Sequence, residues 1–178
     1  MKFLILVLLT FCSVHACKAQ NKLIIEPILS KPKSVTRVVP ETGKEYRNST
    51  FVEVTERLQP KIIMQPLKNN LLLFEVQGNI NSSGHSINRV KKIRFEKVIT
   101  SNDTLTLQYF VEIKHIPGKE GNVIRGYNYK KQLDYKIPKG IKVIKLELYE
   151  DRISQRTGSK HAKLKLVANQ IVFFSDGQ

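Results

Sequence analysis

The sequence predicts an all-β fold, and three observations support that prediction. Apolar and polar residues alternate with a period of two along much of residues 51–174, as they do in strands with one buried face. Turn signals rich in glycine or proline separate these segments, as at 116–122 and 138–140. No long window has the apolar spacing of an amphipathic helix. We therefore expect antiparallel strands joined by turns.

The first residues have the order of a secretory signal peptide. Lys2 precedes an apolar run over residues 3–11, and small and polar residues follow that run. The run is about half as long as a membrane-spanning helix, which needs ~20 residues. We assign residues 1–19 to the signal peptide and expect cleavage after Ala16 or Ala19.

Two resemblances concern the fate of the mature protein. Residues 14–17 (Val-His-Ala-Cys) loosely resemble the bacterial lipobox, which implies that Cys17 carries lipid. The Lys-Ala-Gln at 18–20 resembles the ends of signal peptides from exported Bacteroidota proteins. A lipid-anchored form and a soluble form are therefore both open.

The positions of the cysteines indicate the cellular compartment in which the protein works. Both cysteines, Cys12 and Cys17, precede residue 20, so the mature domain has no disulfide, thiolate zinc site or cysteine nucleophile. Small secreted animal domains usually depend on disulfides, whereas a chain of roughly 158 residues buries enough surface to fold without them. We expect a bacterial periplasm, outer membrane or cell surface, with secretion as the alternative.

Residues 20–50 precede the predicted domain at 51–178. Pro27, Pro32 and Pro40 interrupt them, and each proline disfavours helix and removes a backbone donor. We expect an irregular arm with edge strands there.

Within the domain, the clearest strand is 104–114, because apolar residues recur there at every second position. Its predicted core residues are Leu105, Leu107, Tyr109, Val111 and Ile113, and Thr104, Thr106, Gln108, Glu112 and Lys114 are expected to face solvent. Further strands are expected at 51–58, 71–76, 89–99, 127–135, 141–150 and 163–174.

Seven to nine such strands favour an antiparallel immunoglobulin-like sandwich. A lipocalin-like β-barrel is the alternative, since the length and the export signal suit it. The usual Gly-x-Trp of lipocalins is missing, because the chain contains no tryptophan.

Positive charge is concentrated in the second half of the chain. The formal net charge is +3 over residues 20–88 and +11 over residues 89–165. Such a field attracts polyanions and anionic membrane surfaces. Outside the cytoplasm, we expect an envelope protein partner, an acidic polymer or an anionic membrane surface rather than nucleic acid. The predicted contacts are Lys92, Arg94, Lys130, Lys160, Lys163 and Lys165.

Two further sets of residues carry predictions of their own. Tyr127, Tyr129 and Tyr135 share one face of a strand and are interpreted as an aromatic binding face, with core packing as the alternative. Asn48, Asn81 and Asn102 begin N-glycosylation sequons. Asp103-Thr104-Leu105 resembles the O-glycosylation motif of Bacteroidota periplasmic proteins, which implies a glycan on Thr104.

Signatures of catalysis are sparse. His85, His115 and His161 have neither the short spacing of a zinc motif nor a neighbouring carboxylate in a familiar arrangement. No glycine-rich phosphate loop or nucleophile elbow is present, so no metal and no cofactor are expected. We expect a non-catalytic binding or assembly module with a basic face. A secreted barrel that carries a ligand is the second hypothesis, and a small hydrolase with an unrecognised site is the third.

Overall fold

Nine strands and no helix make up the part of the chain that the structure describes, which confirms the all-β prediction. This structure, a computed structural model, describes residues 22–66, 70–82, 86–99, 101–118, 121, 123–153 and 163–174. The strands are β1 (Ile24–Val38), β2 (Glu45–Glu53), β3 (Lys61–Met64), β4 (Leu71–Asn81), β5 (Ser86–Ile99), β6 (Thr104–Pro117), β7 (Ile124–Lys136), β8 (Val143–Ile153) and β9 (Lys163–Phe173). Among these residues, no helix has the length and apolar character needed to cross a membrane.

The strands form two sheets, one of which curls into a half-barrel. The five-stranded sheet has the order β2-β1-β7-β4-β3, and the four-stranded sheet has the order β5-β6-β8-β9. No ladder joins the two sheets within the described ranges, so these strands do not form the single closed barrel of the alternative prediction.

One strand pair departs from the expected antiparallel arrangement. β6 and β8 are neighbours in the four-stranded sheet, and they run parallel. The chain leaves β6, crosses to the other sheet as β7 and returns as β8, so β6 and β8 point the same way. A connection of this length is what a parallel pair requires.

The core lies between the inner faces of the two sheets. In β4, alternate residues from Leu72 to Ile80 are buried, while those between them are half-exposed. In β6, the predicted inward set from Leu105 to Ile113 is buried, as alternation predicted. In β8, the fully buried residues are Ile144, Leu146 and Leu148.

The other face of β6 was predicted to be exposed to solvent, but much of it is buried. Thr106, Phe110 and Glu112 on that face are at most 7% exposed. The reason is the position of β6 within the sheet, since β5 and β8 flank it on both sides and their outward side chains cover it. The prediction of solvent-facing side chains was therefore wrong for Thr106 and Glu112.

Tyr129 fills the core opposite a glycine. Tyr129 is completely buried and pairs in register with Gly78 of β4. A Cβ atom at Gly78 would lie 2.7 Å from Cζ of Tyr129, so only glycine leaves room for the ring. Tyr127 and Tyr135 are half-buried and pack on the same core. Tyr129 is therefore a core residue, and Tyr127 and Tyr135 pack partly against the core, as in the alternative that the sequence left open.

The described part of the predicted arm, residues 22–50, belongs partly to the sheet and partly to a projecting hairpin. Residues 24–29 of β1 pair with β7, with a register shift between Ile28 and Leu29, and the ladder of residues 30–38 is with β2. β2 spans the predicted domain boundary at residue 51.

Candidate functional site

The hairpin formed by residues 30–53 projects from the five-stranded sheet, and we call it the ribbon. Its two strands pair over nine residues, a length of about 27 Å. Every residue of β2 is exposed, and between positions 31 and 38 only Val35 is half-buried. Both faces of the ribbon are therefore open to solvent in the described structure.

Local sequence explains why this segment forms a hairpin. Its paired strands contain β-branched and aromatic residues, which favour extended backbone. In the turn, the amide of Val39 donates to the carbonyl of Lys44 (3.0 Å), and the amide of Gly43 donates to the carbonyl of Val39 (2.9 Å). Gly43 has a φ of 65°, a left-handed conformation that glycine adopts without steric cost.

Arg57 fixes the base of the ribbon to the sheet. Its Nε donates to Oε2 of Glu53 at 2.7 Å, and its Nη2 donates to the second carboxylate oxygen. The same guanidinium donates to the side-chain oxygens of Asn79 and Asn81 and to the carbonyl of Arg125. The hydrogen bonds between Arg57 and Glu53 lower the pKa of Glu53 below its usual value and raise the pKa of Arg57.

The connection after the ribbon is held by buried asparagine amides. Oδ1 of Asn128 accepts from the amide of Leu58 (3.0 Å), and its Nδ2 donates to the carbonyl of Glu56 (2.8 Å). Nδ2 of Asn79 donates to the carbonyl of Leu58 at 2.8 Å. Asn128 is only 4% exposed, and these bonds satisfy its polar atoms. The direction of the ribbon is thus set by a hydrogen-bonded base.

The two faces of the ribbon differ in charge, because paired residues of antiparallel strands share a face. One face, here called the cationic face, comprises Lys31, Lys33, Val35, Arg37, Tyr46, Asn48, Thr50 and Val52. It contains three cations and no carboxylate. Within the described residues, none of these three cations makes an ion pair. The opposite face carries Glu45, Arg47 and Glu53, and Phe51 there lies 4.9 Å from the guanidinium of Arg125.

The predicted basic contacts Lys92 and Arg94 are compensated by acidic neighbours. Both lie on the outer face of β5, opposite β6. Nζ of Lys92 is 3.5 Å and Nε of Arg94 is 3.4 Å from Oε1 of Glu112. Arg94 also pairs with Glu96, and its Nη2 is 3.6 Å from Oδ2 of Asp151. An anion approaching this face meets three carboxylates around one guanidinium.

Arg94 also caps a stack of rings that crosses the same face. Its guanidinium carbon lies 4.1 Å from the ring centroid of Phe110, and Phe110 stacks on Tyr149 with centroids 5.2 Å apart. The Tyr149 hydroxyl donates to Oε2 of Glu147 (2.8 Å), which also accepts from Nε2 of Gln108 (2.9 Å). Burial, and then the hydrogen bond to Glu147, raise the pKa of Tyr149. These contacts order the face rather than leave it free for a ligand.

The remaining predicted basic residues do not join Lys92 and Arg94. Lys130 lies on β7 of the five-stranded sheet and alternates with the buried Tyr129, so it is on that sheet's outer face. Lys165 is exposed on β9, opposite Glu150. Lys160, the side chain of Lys163 and the lipidation candidate Cys17 lie outside the described residues. The described members of the set are therefore divided between both sheets.

The predicted glycosylation positions occupy different surroundings. Asn48 is exposed on the cationic face, and Asn102 is exposed in the turn before β6. The side chain of Asn81 accepts from Arg57 and belongs to the ribbon base. The Thr104 hydroxyl donates to Oδ1 of Asp103 at 3.0 Å.

The sequence interpretation missed the cationic face of the ribbon. Lys31, Lys33 and Arg37 are spaced by even numbers of residues, which places them on one face of any strand. The prolines of this segment directed the interpretation toward an irregular arm. Even spacing of cations, with no acidic residue between positions 27 and 40, was the signal that could have found the face.

Comparison with protein-family models, with curated proteins and with solved structures finds no match for this chain. Within the described ranges, no three histidine, cysteine, aspartate or glutamate side chains are grouped so that they could hold a metal ion. The class of protein is therefore defined by geometry: a two-sheet β protein with an anchored, projecting cationic ribbon.

Proposed function

We propose that this protein is an exported, non-catalytic binding or assembly module of the cell envelope, and that the ribbon is its interaction arm. The observation that carries the proposal is a ribbon about 27 Å long with exposed side chains on both faces. Two-stranded hairpins alone are marginal in water. A partner that covers this one would bury its apolar residues and stabilise it.

The backbone of β2 supports the same proposal. β2 is the edge strand of the five-stranded sheet, so half of its backbone groups point away from β1. Its base is fixed by Arg57, which keeps the ribbon in one orientation. A fixed arm loses less conformational entropy on binding than a flexible arm.

Polar chemistry elsewhere favours binding over catalysis. Glu112 and Asp151 hold Arg94, and Glu147 accepts hydrogen bonds from Gln108 and Tyr149. Each of these carboxylates holds a neighbouring side chain in place. They are not arranged as an acid and a base facing a shared cleft.

The scaffold and the location complete the proposal. Two packed sheets of nine described strands support an immunoglobulin-like sandwich as the scaffold. Export to the periplasm, outer membrane or cell surface is supported by Lys2 and the apolar run at 3–11. Intact mass of the protein from its native host tests export, because retention of residues 1–16 would contradict it. A diacylglycerol mass on Cys17 would distinguish an anchored from a soluble form.

Site-specific photo-crosslinking in the native host tests the interaction arm. Benzoylphenylalanine is introduced in place of Asn48, in the middle of the exposed β2. In a control protein it replaces Lys139, which lies in an exposed turn away from the ribbon. We expect one discrete adduct from position 48 and none from position 139. Equal adducts from both positions, or no adduct from position 48 in correctly exported protein, would overturn the proposal.

A further inference from the structure

The cationic face of the ribbon has a repeat that matches an extended acidic chain. Lys31 and Lys33 are two residues apart on one strand, a separation of about 6.8 Å, and Arg37 lies about 13.6 Å beyond Lys33. Carboxylates on alternate residues of an extended peptide have the same repeat of about 6.8 Å. Val35 occupies the position between Lys33 and Arg37, so cations fill three of the four positions in this repeat.

The free edge of β2 provides hydrogen-bonding groups for such a chain. Residues 48–52 in its middle carry no charge, and no register shift interrupts the pairing of β1 with β2. β5, an edge of the other sheet, differs in both respects. It carries Lys91, Lys92, Arg94 and Lys97, and its register shifts between Val90 and Lys92. Charge and bulges are the features that keep edge strands from pairing, and the middle of β2 lacks them.

We infer that β2 accepts an extended acidic segment of a partner protein as an additional strand, an inference that rests on the proposed function of the ribbon. The segment's backbone pairs with β2, and its carboxylates lie on the cationic face. A strand added beside β2 lies about 9.6 Å from β1, which is within the combined reach of a lysine and a glutamate side chain. The segment's remaining side chains lie on the opposite face, where the exposed Phe51 of β2 gives them an apolar contact.

A peptide partner fits these observations better than a glycan or a membrane. A polyanionic glycan or a lipid headgroup satisfies the cations but leaves the backbone groups of β2 unpaired. A peptide satisfies both, and main-chain bonds then provide affinity while alternate side chains provide specificity.

Fluorescence anisotropy with a labelled ten-residue peptide of alternating glutamate and valine tests the inference. The full mature chain is titrated against this probe at low salt. Replacing Lys31, Lys33 and Arg37 together with glutamine should weaken binding about tenfold, from three exposed charge pairs. A matched control replaces Lys61, Lys114 and Lys139, three exposed lysines away from the ribbon, and should change binding less than twofold. Circular dichroism melts establish that both triple variants are folded.

A second probe separates strand addition from simple charge attraction. The same peptide N-methylated at alternate residues keeps its charges and loses half of its backbone donors. We expect its binding to fall at least about tenfold against the wild-type protein, because a strand pair depends on those donors. Equal binding of the two peptides would overturn strand addition without any variant protein.

Two further outcomes also decide the question. If a heparin fragment competes as strongly as the peptide and with the same dependence on the three cations, the ligand is a polyanion and the inference is wrong. If the peptide fails to bind while the crosslink at Asn48 still captures a discrete partner, the inference fails and the ribbon remains the interaction arm. If the peptide does not bind and the crosslink at position 48 captures no partner, the proposed function is wrong as well.

Discussion

Replacing Gly78 with alanine perturbs the core where the two sheets meet around Tyr129. The added Cβ would lie 2.7 Å from Cζ of Tyr129 and nearer still to its hydroxyl oxygen. Tyr129 is completely buried, so its ring can move only by displacing other core residues. Overpacking of this kind lowers the free energy of unfolding by roughly 1–3 kcal/mol, and we expect about 2 kcal/mol here. For a domain of this size, the melting temperature should fall by roughly 4–8 °C.

The hydroxyl of Tyr129 supplies a second arm of the same experiment. It is buried without a hydrogen-bond partner among the described residues, and its pKa is raised by burial and then by Glu150. Removing an unpaired polar atom should be neutral or stabilising, so Tyr129→Phe should melt at or above the parent temperature. The double variant should recover part of the loss caused by Gly78→Ala, because the atom nearest to the new Cβ is gone.

Far-UV circular dichroism melts of the four proteins measure these effects. Gly121→Ala is the matched control, since a Cβ at Gly121 meets nothing within 4 Å. We expect the control to melt within about 2 °C of the parent. If Gly78→Ala melts with the control, or if the double variant recovers nothing, Tyr129 does not pack over Gly78 as described.

Three other predictions test the faces and the base of the sheets by urea denaturation. Leu107→Ala should lose about 2–5 kcal/mol, whereas the exposed Leu164→Ala should lose less than about 0.5 kcal/mol; equal midpoints would contradict the inner face of β6. Phe110→Ala should lower the free energy of unfolding by about 3 kcal/mol, although Phe110 lies on the outer face of β6. A loss near zero would show that this face is exposed to solvent. Because hydrogen bonds from Arg57 lower the pKa of Glu53 below 4.5, this pair stabilises the fold above that pH, and its contribution disappears as pH falls through the lowered value. The urea midpoint of Glu53→Gln should therefore change less than that of the parent between about pH 5 and pH 3. An equal change in both proteins would contradict the pairing.

Periodicity predicted the core because a strand's buried residues are set by local geometry. In 104–114 the alternation identified every inward residue from Leu105 to Ile113. The same reasoning gave Tyr127, Tyr129 and Tyr135 a common face, and that parity is correct. Parity alone does not say which face meets the other sheet, so the sequence left open whether these rings form a binding face or pack in the core.

The outer face of the four-stranded sheet depends on residues distant in sequence. Phe110 is covered because Arg94 and Tyr149 reach it from β5 and β8. The contact with Tyr149 depends on the parallel pairing of β6 with β8, which is formed by a chain crossing that no local pattern reveals. Alternation in β6 could therefore predict the buried inner face but not the coverage of the outer face.

Strand neighbours also decide which charges are compensated by ion pairs, which a count of charges along the chain does not reveal. Within a sheet, side chains on adjacent strands are about 5 Å apart, so Lys92 and Arg94 find Glu112 on β6 and, for Arg94, Asp151 beyond it. In the ribbon, β1 beyond residue 29 has only β2 as a neighbour, and β2 places no carboxylate on the cationic face. The half of the chain with a net charge of +3 thus presents uncompensated cations on the ribbon, while Lys92 and Arg94 in the half with +11 are compensated by neighbouring carboxylates. An acidic strand beside β2 would supply the neighbour that the ribbon lacks, which is why the interaction is sought there and not on the more basic half.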